Sequence, residues 1–289
     1  MKRVLNVTNL DYCRAFFLTA LAFVIIVGSG GSGSAATIIK VSLITPEGSP
    51  WTNLLHQLAD EVKNKTNGEV VFKVYAGGIS GDETDVLRKM RANRIHAAGF
   101  SGVGLGIVQP EIRILEAPLL YRSYAEVDLI KQKLQGEFAV NFEKKGFVLL
   151  GFAEVGFVYF FSSVQMTGPQ GFQPLKMWAW KEDPVAKTSM EAFGIKTVPL
   201  HLTDVNTGLE TGMINAFYAS PLAAIAFQWH SKVRYVLDYP MVNSTGAFII
   251  QKEIFNRLPD KHKQILRQAS AKFCDALVQL CLLYTSDAA

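Results

Sequence analysis

The stretch LKMWAW at residues 175–180, together with DVNTGLETGMINAFYASP at residues 204–221, decides the fold of this chain. In the first stretch, Trp178 and Trp180 are two positions apart, so they share one face of a short strand. The second stretch predicts a helical turn at 205–211, a strand at 214–218 and the start of a buried helix at 221–229. Alternating strands and helices of this kind are typical of an α/β sheet.

The residues before these stretches predict a first α/β unit. Short apolar runs rich in β-branched residues predict strands, and apolar residues three or four positions apart predict helices. The order is strand 38–44, helix 51–66, strand 70–75, helix 82–92 and strand 97–100, which indicates a mostly parallel sheet. Further predicted elements are helices at 124–145, 184–193 and 258–284, and strands at 147–152, 157–162, 197–200, 233–237 and 247–250.

A second α/β pattern begins after about residue 160, and the chain returns to the first unit near residue 246. We therefore expect a two-lobed α/β fold with a hinge of crossing strands and a long C-terminal helix. The expected first lobe comprises residues 37–157 and 247–289, and the second comprises residues 158–246. In such folds ligands bind between the lobes, at the carboxyl ends of the strands.

Residues 1–36 predict a secretory signal that is removed on export. Basic residues precede an apolar run at 15–27, and the small residues SAA follow at 34–36. The run has 13 residues, fewer than the ~20 that a membrane-spanning helix needs. Residues 1–36 hold three basic residues and one acidic residue, so without them the net charge falls from +4 to +2. This balance gives no argument for a nucleic-acid partner.

Cys274 and Cys281 are the two cysteines that remain after residue 36. They are seven positions apart in a helical pattern, ~10 Å along the axis, which is too far for a disulfide. The five histidines are widely scattered, so we predict no metal site and no cofactor. The run GVGLG at 102–106 lacks the spacing of a dinucleotide-binding loop, and neither G-x-S-x-G nor H-E-x-x-H occurs.

Several segments, in chain order, resemble the DctP-type solute-binding proteins of TRAP transporters. They are YAGGISGDE at 75–83, LEAPLLYRS at 115–123, LGF at 150–152, GF at 156–157, LTDV at 202–205, LETG at 209–212 and INA at 214–216. The resemblance covers about residues 37–275. It implies a fold like that of periplasmic binding proteins and a periplasmic protein that hands a small solute to membrane subunits driven by an ion gradient.

The resemblance also implies a basic group in the cleft, and here the chain departs from the family. Family substrates are mostly organic acids, whose carboxylate is held by an arginine on a second-lobe strand because a guanidinium matches a carboxylate with two parallel hydrogen bonds. That position is Trp178 in this chain, and a second frequent arginine position is Val158. We therefore expect a ligand other than a simple dicarboxylate held in the usual way.

We predict an aromatic cleft whose ligand-binding walls are Trp178, Trp180, Phe157, Tyr159, Tyr218 and Trp51. Such walls suit apolar or ring-bearing ligands, or cations over ring faces. Ser49, Ser101 and Ser220 are predicted to orient a polar group of the ligand, with backbone N–H groups after the third strand. The alternatives are ordinary core packing for the aromatic residues, a flexible turn at Ser101, and a helix N-cap at Asp204.

The sequence thus predicts a binding protein without catalytic activity that captures a small organic solute or organic acid, works with TRAP membrane subunits and is a monomer. The alternatives are an exported sensory binding module and an exported enzyme on a similar fold. The family's last helix normally continues further, so we expect that residues 282–289, where the helical pattern breaks, are a truncated or artefactual end.

Overall fold

An eight-stranded sheet runs through the described part of the chain. The computed structural model describes residues 36–286, so the predicted signal lies outside the described residues except for Ala36. The strand order is β2-β1-β3-β8-β4-β7-β5-β6. The strands are β1 (Thr37–Ser42), β2 (Val70–Tyr75), β3 (Ala97–Ser101), β4 (Phe147–Ser162), β5 (Met177–Trp180), β6 (Thr197–Leu200), β7 (Ala216–Ala219) and β8 (Tyr235–Gln251).

Helices cover both faces of this sheet. The α-helices are α1 (Pro50–Lys65), α2 (Glu83–Arg91), α3 (Gly102–Val108), α4 (Tyr124–Lys144), α5 (Pro184–Ala192), α6 (Val205–Glu210), α7 (Pro221–Ala226), α8 (Lys252–Arg257) and α9 (Asp260–Ser286). Short 3-10 helices lie at Pro110–Glu116, Pro169–Phe172, Leu202–Asp204 and Trp229–Lys232. Of these elements, α3, α8 and the 3-10 helices are missing from the sequence prediction, whose helix at 221–229 meets only the first residue of the last of them.

The strands β4 and β8 correct the sequence prediction, which has two separate strands in place of each. They pair antiparallel from Phe147 and Gln251 at one end to Ser162 and Tyr235 at the other. The register shifts at three points along the pair, one of them beside Gly156. Gly156 has φ +103°, a conformation that other residues rarely adopt. Such bulges interrupt the alternation of side chains, so the sequence pattern does not show that each strand is continuous.

The sheet has two groups of parallel strands joined by β4 and β8. In the first group β1 pairs parallel with β2 and β3, and in the second β5 pairs parallel with β6 and β7. β8 joins the first group through β3, and β4 joins the second through β7. The fold is therefore two-lobed, as predicted, with the first lobe around β1–β3, the second around β5–β7, and two strands crossing between them.

Each lobe has apolar side chains on both faces of its part of the sheet. In the first lobe, Phe248 faces α1 and α9, whereas the next residue, Ile249, faces the side of α2 and α4. In the second lobe, Trp178 and Met177 likewise belong to separate clusters on opposite faces. This alternation follows from the pleat of the strand.

The long helix α9 packs on β4. Its Cys274 and Cys281 are buried and not bridged to each other, as the sequence predicts, and Cys281 Sγ donates a hydrogen bond to the Glu154 carbonyl oxygen at 3.0 Å. Within residues 36–286, the helices lack the length and apolar character that crossing a membrane requires.

We predict that Gly156→Ala lowers the free energy of unfolding by about 1 kcal/mol or more, because alanine is strained at positive φ. Gly136→Ala is the matched control: Gly136 lies inside α4, and an added Cβ there meets nothing within 4 Å. Alanine at this helical position should raise the stability by roughly 0.5–1 kcal/mol. Urea unfolding followed by circular dichroism measures both. Equal effects of the two substitutions would contradict this account of the β4 bulge.

Candidate functional site

A cavity of about 200 Å³ lies between the two lobes. Its walls come from the carboxyl ends of β1 and β3, the middle of β4 and β8, the strand β5, the first turns of α5 and the end of β7. Phe273 and Leu277 of α9 close one side. The cavity is therefore where a two-lobed α/β fold places its ligand, at strand ends between the lobes.

Aromatic side chains of the second lobe form one wall of this cavity. The Trp178 indole stacks on Tyr218 with ring centroids 5.1 Å apart and meets Trp229 edge-on at 5.3 Å. Trp178 Nε1 donates a hydrogen bond to the Leu200 carbonyl oxygen at 3.1 Å, and the residue is only 2% exposed. Because its single donor is satisfied by the backbone, the indole offers the cavity an apolar surface.

The structure brings six of the nine predicted site residues to the cavity and leaves three outside it. Those that line it are Trp51, Ser101, Trp178, Trp180, Tyr218 and Ser220. Ser49, Phe157 and Tyr159 are not among its lining residues.

On β4, the neighbours of Phe157 and Tyr159 that line the cavity are Val158 and Phe160, and Ala153, Glu154 and Val155 line it further along the same strand. Phe157 points to the other face, where its ring lies 4.7 Å from that of Tyr124 and its backbone N–H donates to the Tyr124 hydroxyl. Consecutive strand residues face opposite sides, and both Phe157 with Tyr159 and Val158 with Phe160 satisfy the apolar pattern. The pattern alone therefore does not show which pair faces the cavity. The family resemblance could have decided between the two faces. It gives Val158 as a ligand-binding position, which predicts that the Val158 side of the strand faces the cleft.

The three predicted serines serve as helix N-caps. Ser49 Oγ accepts a hydrogen bond from Thr52 N at 3.3 Å, Ser101 Oγ from Val103 N at 3.2 Å and Ser220 Oγ from Ala223 N at 3.2 Å. N-cap hydroxyls satisfy backbone donors that the first helical turn leaves unpaired. In contrast, Asp204, for which a cap was the alternative, makes no capping hydrogen bond through its side chain.

Glu83 accepts the hydrogen bonds of the hydroxyl and backbone N–H groups after the third strand, which the sequence analysis assigns to a ligand. Its buried carboxylate accepts hydrogen bonds from Ser101 N at 2.7 Å, Ser101 Oγ at 2.9 Å and Gly104 N at 2.7 Å. Burial raises the pKa of Glu83 to about 8, although the hydrogen bonds from Ser101 and Gly104 lower it. These backbone N–H groups therefore bind a protein carboxylate.

The glycine run at 102–106 makes room for charged side chains. A Cβ at Gly102 would lie 2.1 Å from Glu116 Oε2, one at Gly104 would lie 2.5 Å from Glu83 Oε2, and one at Gly106 would lie 2.8 Å from Arg113 Cδ. Each of these distances is shorter than any normal contact. The glycine run, which lacks the spacing of a dinucleotide loop, thus allows the carboxyl groups of Glu116 and Glu83 and the Arg113 side chain to pack against α3.

Arg113, which the sequence interpretation missed, lies at the centre of the buried charges. Its Nη2 donates to Asp183 Oδ1 at 2.9 Å. Its Nε lies 3.0 Å from Glu116 Oε2, an ion pair whose angle does not suit a hydrogen bond. Burial lowers the pKa of Arg113, but the charges of Glu116 and Asp183 raise it by more, so it lies above its ordinary value.

Glu116 is held from its other side by β8. It accepts hydrogen bonds from Thr245 N at 2.8 Å and Ser244 Oγ at 3.2 Å. Burial raises the pKa of Glu116 to about 7, although the Arg113 charge lowers it.

Asp82 joins the two lobes through hydrogen bonds to both, one of them to the cavity-lining Trp180. Its Oδ1 accepts a hydrogen bond from Glu83 N at 2.6 Å, at the start of α2 in the first lobe. Its Oδ2 accepts from Trp180 Nε1 at 3.0 Å and from Leu202 N at 3.2 Å, both in the second lobe, and lies 3.3 Å from His201 Nδ1. This carboxylate fixes the Trp180 indole as a wall of the cavity.

Comparison with known proteins places these features in a family. Residues 41–281 match the family described as bacterial extracellular solute-binding protein, family 7 (DctP). A solute-binding protein of Verminephrobacter eiseniae is 27% identical over 243 residues, which are 83% of this chain and 72% of that protein. The sialic acid-binding periplasmic protein SiaP of Vibrio cholerae is 21% identical over 268 residues, 89% of this chain and 80% of that protein.

Solved structures show the same fold. DctP7 of Bordetella pertussis, an extracytoplasmic solute receptor binding pyroglutamic acid, superimposes with a TM-score of 0.81 at 21% identity, over 87% of this chain and 83% of that one. A TRAP periplasmic solute-binding protein of Ralstonia eutropha with bound (S)-2-acetolactate gives 0.79 at 22% identity, over 84% and 79%. Since the family match covers residues 41–281 of 289, the chain belongs to the DctP family of bacterial extracellular solute-binding proteins.

Proposed function

We propose that this chain captures a small, uncharged and largely apolar organic solute in the interlobe cavity and delivers it to the membrane subunits of a TRAP-type transporter. In this proposal residues 37–157 and 247–289 form one lobe and residues 158–246 the other. The protein works outside the cytoplasm as a monomer, without catalysis, after residues 1–36 are removed. The family match and a cavity lined by both lobes support this role.

The proposed ligand class depends on the pairing of one cationic side chain. Among the described residues that line the cavity, only one carries a guanidinium or ammonium group. That group is Arg113, and Asp183 and Glu116 already pair with it. The related structures hold carboxylic acids such as pyroglutamic acid and D-glucuronate. Here the positions implied for the acid-binding arginines are Val158 and Trp178, which line the cavity with apolar side chains. The cavity therefore favours a solute without a negative charge.

Native mass spectrometry of the protein as purified from its own periplasm tests this proposal, because it reports the mass of any solute that stays bound. We expect an uncharged organic molecule, identified after denaturation and extraction. A carboxylic acid retained at one molecule per chain would contradict the ligand class, although it would leave the transport role intact.

We predict that Trp178→Ala weakens the binding of N-phenyl-1-naphthylamine, an uncharged apolar fluorophore, by about tenfold or more. The reason is that the indole, itself only 2% exposed, supports the cavity wall through its ring contacts with Tyr218 and Trp229, so its removal leaves a void in this wall; a loss of about 1.4 kcal/mol is tenfold in affinity. Fluorescence titration measures the dissociation constant.

Tyr159→Ala is the control for this substitution, since it removes an aromatic ring from the opposite face of β4 and should leave the affinity unchanged. Circular dichroism confirms that both variants fold. An unchanged affinity in folded Trp178→Ala would remove Trp178 from the binding site.

We predict that Asp82→Ala shifts the solute-free protein towards an open form. The substitution leaves Trp180 Nε1 and Leu202 N without their acceptor, and each such loss costs about 1–3 kcal/mol. Small-angle X-ray scattering should show a larger radius of gyration than that of the unsubstituted protein.

The matched control is Asp85→Ala, three residues further along the chain, whose carboxylate pairs only on the surface with Arg88. It should leave the scattering curve unchanged. If Asp82→Ala gives the same curve as Asp85→Ala, the Asp82 contacts do not hold the lobes together.

A further inference from the structure

The ion pair between Arg113 and Asp183 crosses the cavity from one lobe to the other. Arg113 belongs to the 3-10 helix Pro110–Glu116 of the first lobe, and Asp183 precedes α5 in the second. The two residues are 70 positions apart in the chain, and Nη2 lies 2.9 Å from Oδ1. Their side chains are 14% and 6% exposed, so little solvent screens the pair. Both residues line the cavity.

Asp183 is held in place by its own lobe before it meets Arg113. Its Oδ1 accepts hydrogen bonds from Val185 N at 3.1 Å and Ala186 N at 3.2 Å, which makes it the N-cap of α5. The carboxylate is thus pre-positioned and needs no further ordering when the lobes close. A free acid would have to lose its own translational freedom to take the same place.

We propose that Asp183 is a built-in counter-ion that determines specificity: it pairs with Arg113 in place of a ligand carboxylate, so the cavity excludes carboxylic acids and closes on an uncharged solute. This inference rests on the proposed function, because it requires that the interlobe cavity is the binding site. It assigns to Asp183 and Arg113 a selective role that neither the aromatic wall nor the serine caps supplies.

The other charges around the cavity point the same way. Among residues 36–286, the lining includes four carboxyl groups, of Glu83, Glu116, Glu154 and Asp183, against the single guanidinium of Arg113. Glu154 pairs with Lys131, and Glu83 with donors at the start of α3. Since Asp183 faces Arg113 whether Glu116 is neutral or ionised, the guanidinium has a protein partner in both states. An incoming acid therefore has to displace Asp183 and meets its like charge there.

Replacing Asp183 by serine tests the inference as a gain of binding. Serine is also a favoured N-cap, so Asp183→Ser keeps the start of α5 while it removes the charge that covers Arg113. The probes are benzoate and benzamide, which have the same ring and differ mainly in charge, each measured by displacement of N-phenyl-1-naphthylamine. We expect Asp183→Ser to bind benzoate at least about tenfold more tightly than the unsubstituted protein does, with a much smaller change for benzamide.

Three further variants keep the result interpretable. Arg113→Met added to Asp183→Ser should abolish the gain for benzoate, because the gain depends on the exposed guanidinium. Glu182→Ser changes the net charge equally at the neighbouring position, where the carboxylate lies 3.6 Å from His201 Nδ1, and should give no gain. Asp183→Asn retains the shape and the capping oxygen and should reproduce the gain if Asp183→Ser fails to fold.

The outcomes separate the inference from the function on which it rests. If folded Asp183→Ser and Asp183→Asn bind the fluorophore but gain no affinity for benzoate, the counter-ion inference is wrong and the proposed function stands. If the unsubstituted protein already binds benzoate as tightly as Asp183→Ser does, Asp183 does not exclude acids and the counter-ion inference is wrong. If the unsubstituted protein binds neither the fluorophore nor benzamide, the proposed ligand class fails and the inference fails with it.

Discussion

The need to pair every buried charge is the constraint on which the cavity depends. Removing an unpaired ion from water costs several kcal/mol, so a charge survives between the lobes only with a partner. The five ionisable groups that line the cavity in the described part of the chain all have such partners. Glu83 has the donors at the start of α3, Glu154 has Lys131, and Arg113 holds Asp183 and Glu116. Because other protein groups pair with these five side chains, the rest of the cavity surface is mainly aromatic and aliphatic.

One of these pairs, Arg113–Asp183, also connects the lobes, so charge compensation and closure are coupled. The two cross-cleft carboxylates, Asp82 and Asp183, each bind their own helix start and a donor of the opposite lobe. Opening the cleft would expose these groups to water, and closing it requires that they meet again. A solute shifts this equilibrium only by its differential affinity for the closed form. Protein groups already form polar contacts across the cleft, and this supports the proposal of a solute that adds mainly apolar contacts.

Local patterns explain what could be predicted from the sequence, and long-range pairing explains what could not. The strands Val70–Tyr75 and Thr197–Leu200 agree with the prediction to the residue, because each is a short β-favouring run between clear turn signals. The face of β4 that lines the cavity stayed ambiguous, since Phe157 and Phe160 are both apolar and a one-residue change of register exchanges them. The Arg113 contact joins positions 70 apart in the chain, and the Asp82–Trp180 contact joins positions 98 apart. No single-sequence pattern encodes such meetings, which depend on how the two lobes pack.

Trp178 and Arg113 together show why a residue substitution at one position is an incomplete guide to ligand charge. The absence of an arginine at position 178 suggested an apolar ligand, yet a guanidinium does line the cavity from another element. A cation in a cleft favours an anionic ligand only when no carboxylate of the protein already neutralises it. Here the Asp183 carboxylate lies 2.9 Å from the Arg113 guanidinium and neutralises it. The Trp178 indole donates its one N–H to the Leu200 carbonyl oxygen. In the proposed function, the aromatic wall and the internal ion pair therefore act in the same direction, one by supplying apolar contact and the other by withdrawing the positive charge from any solute.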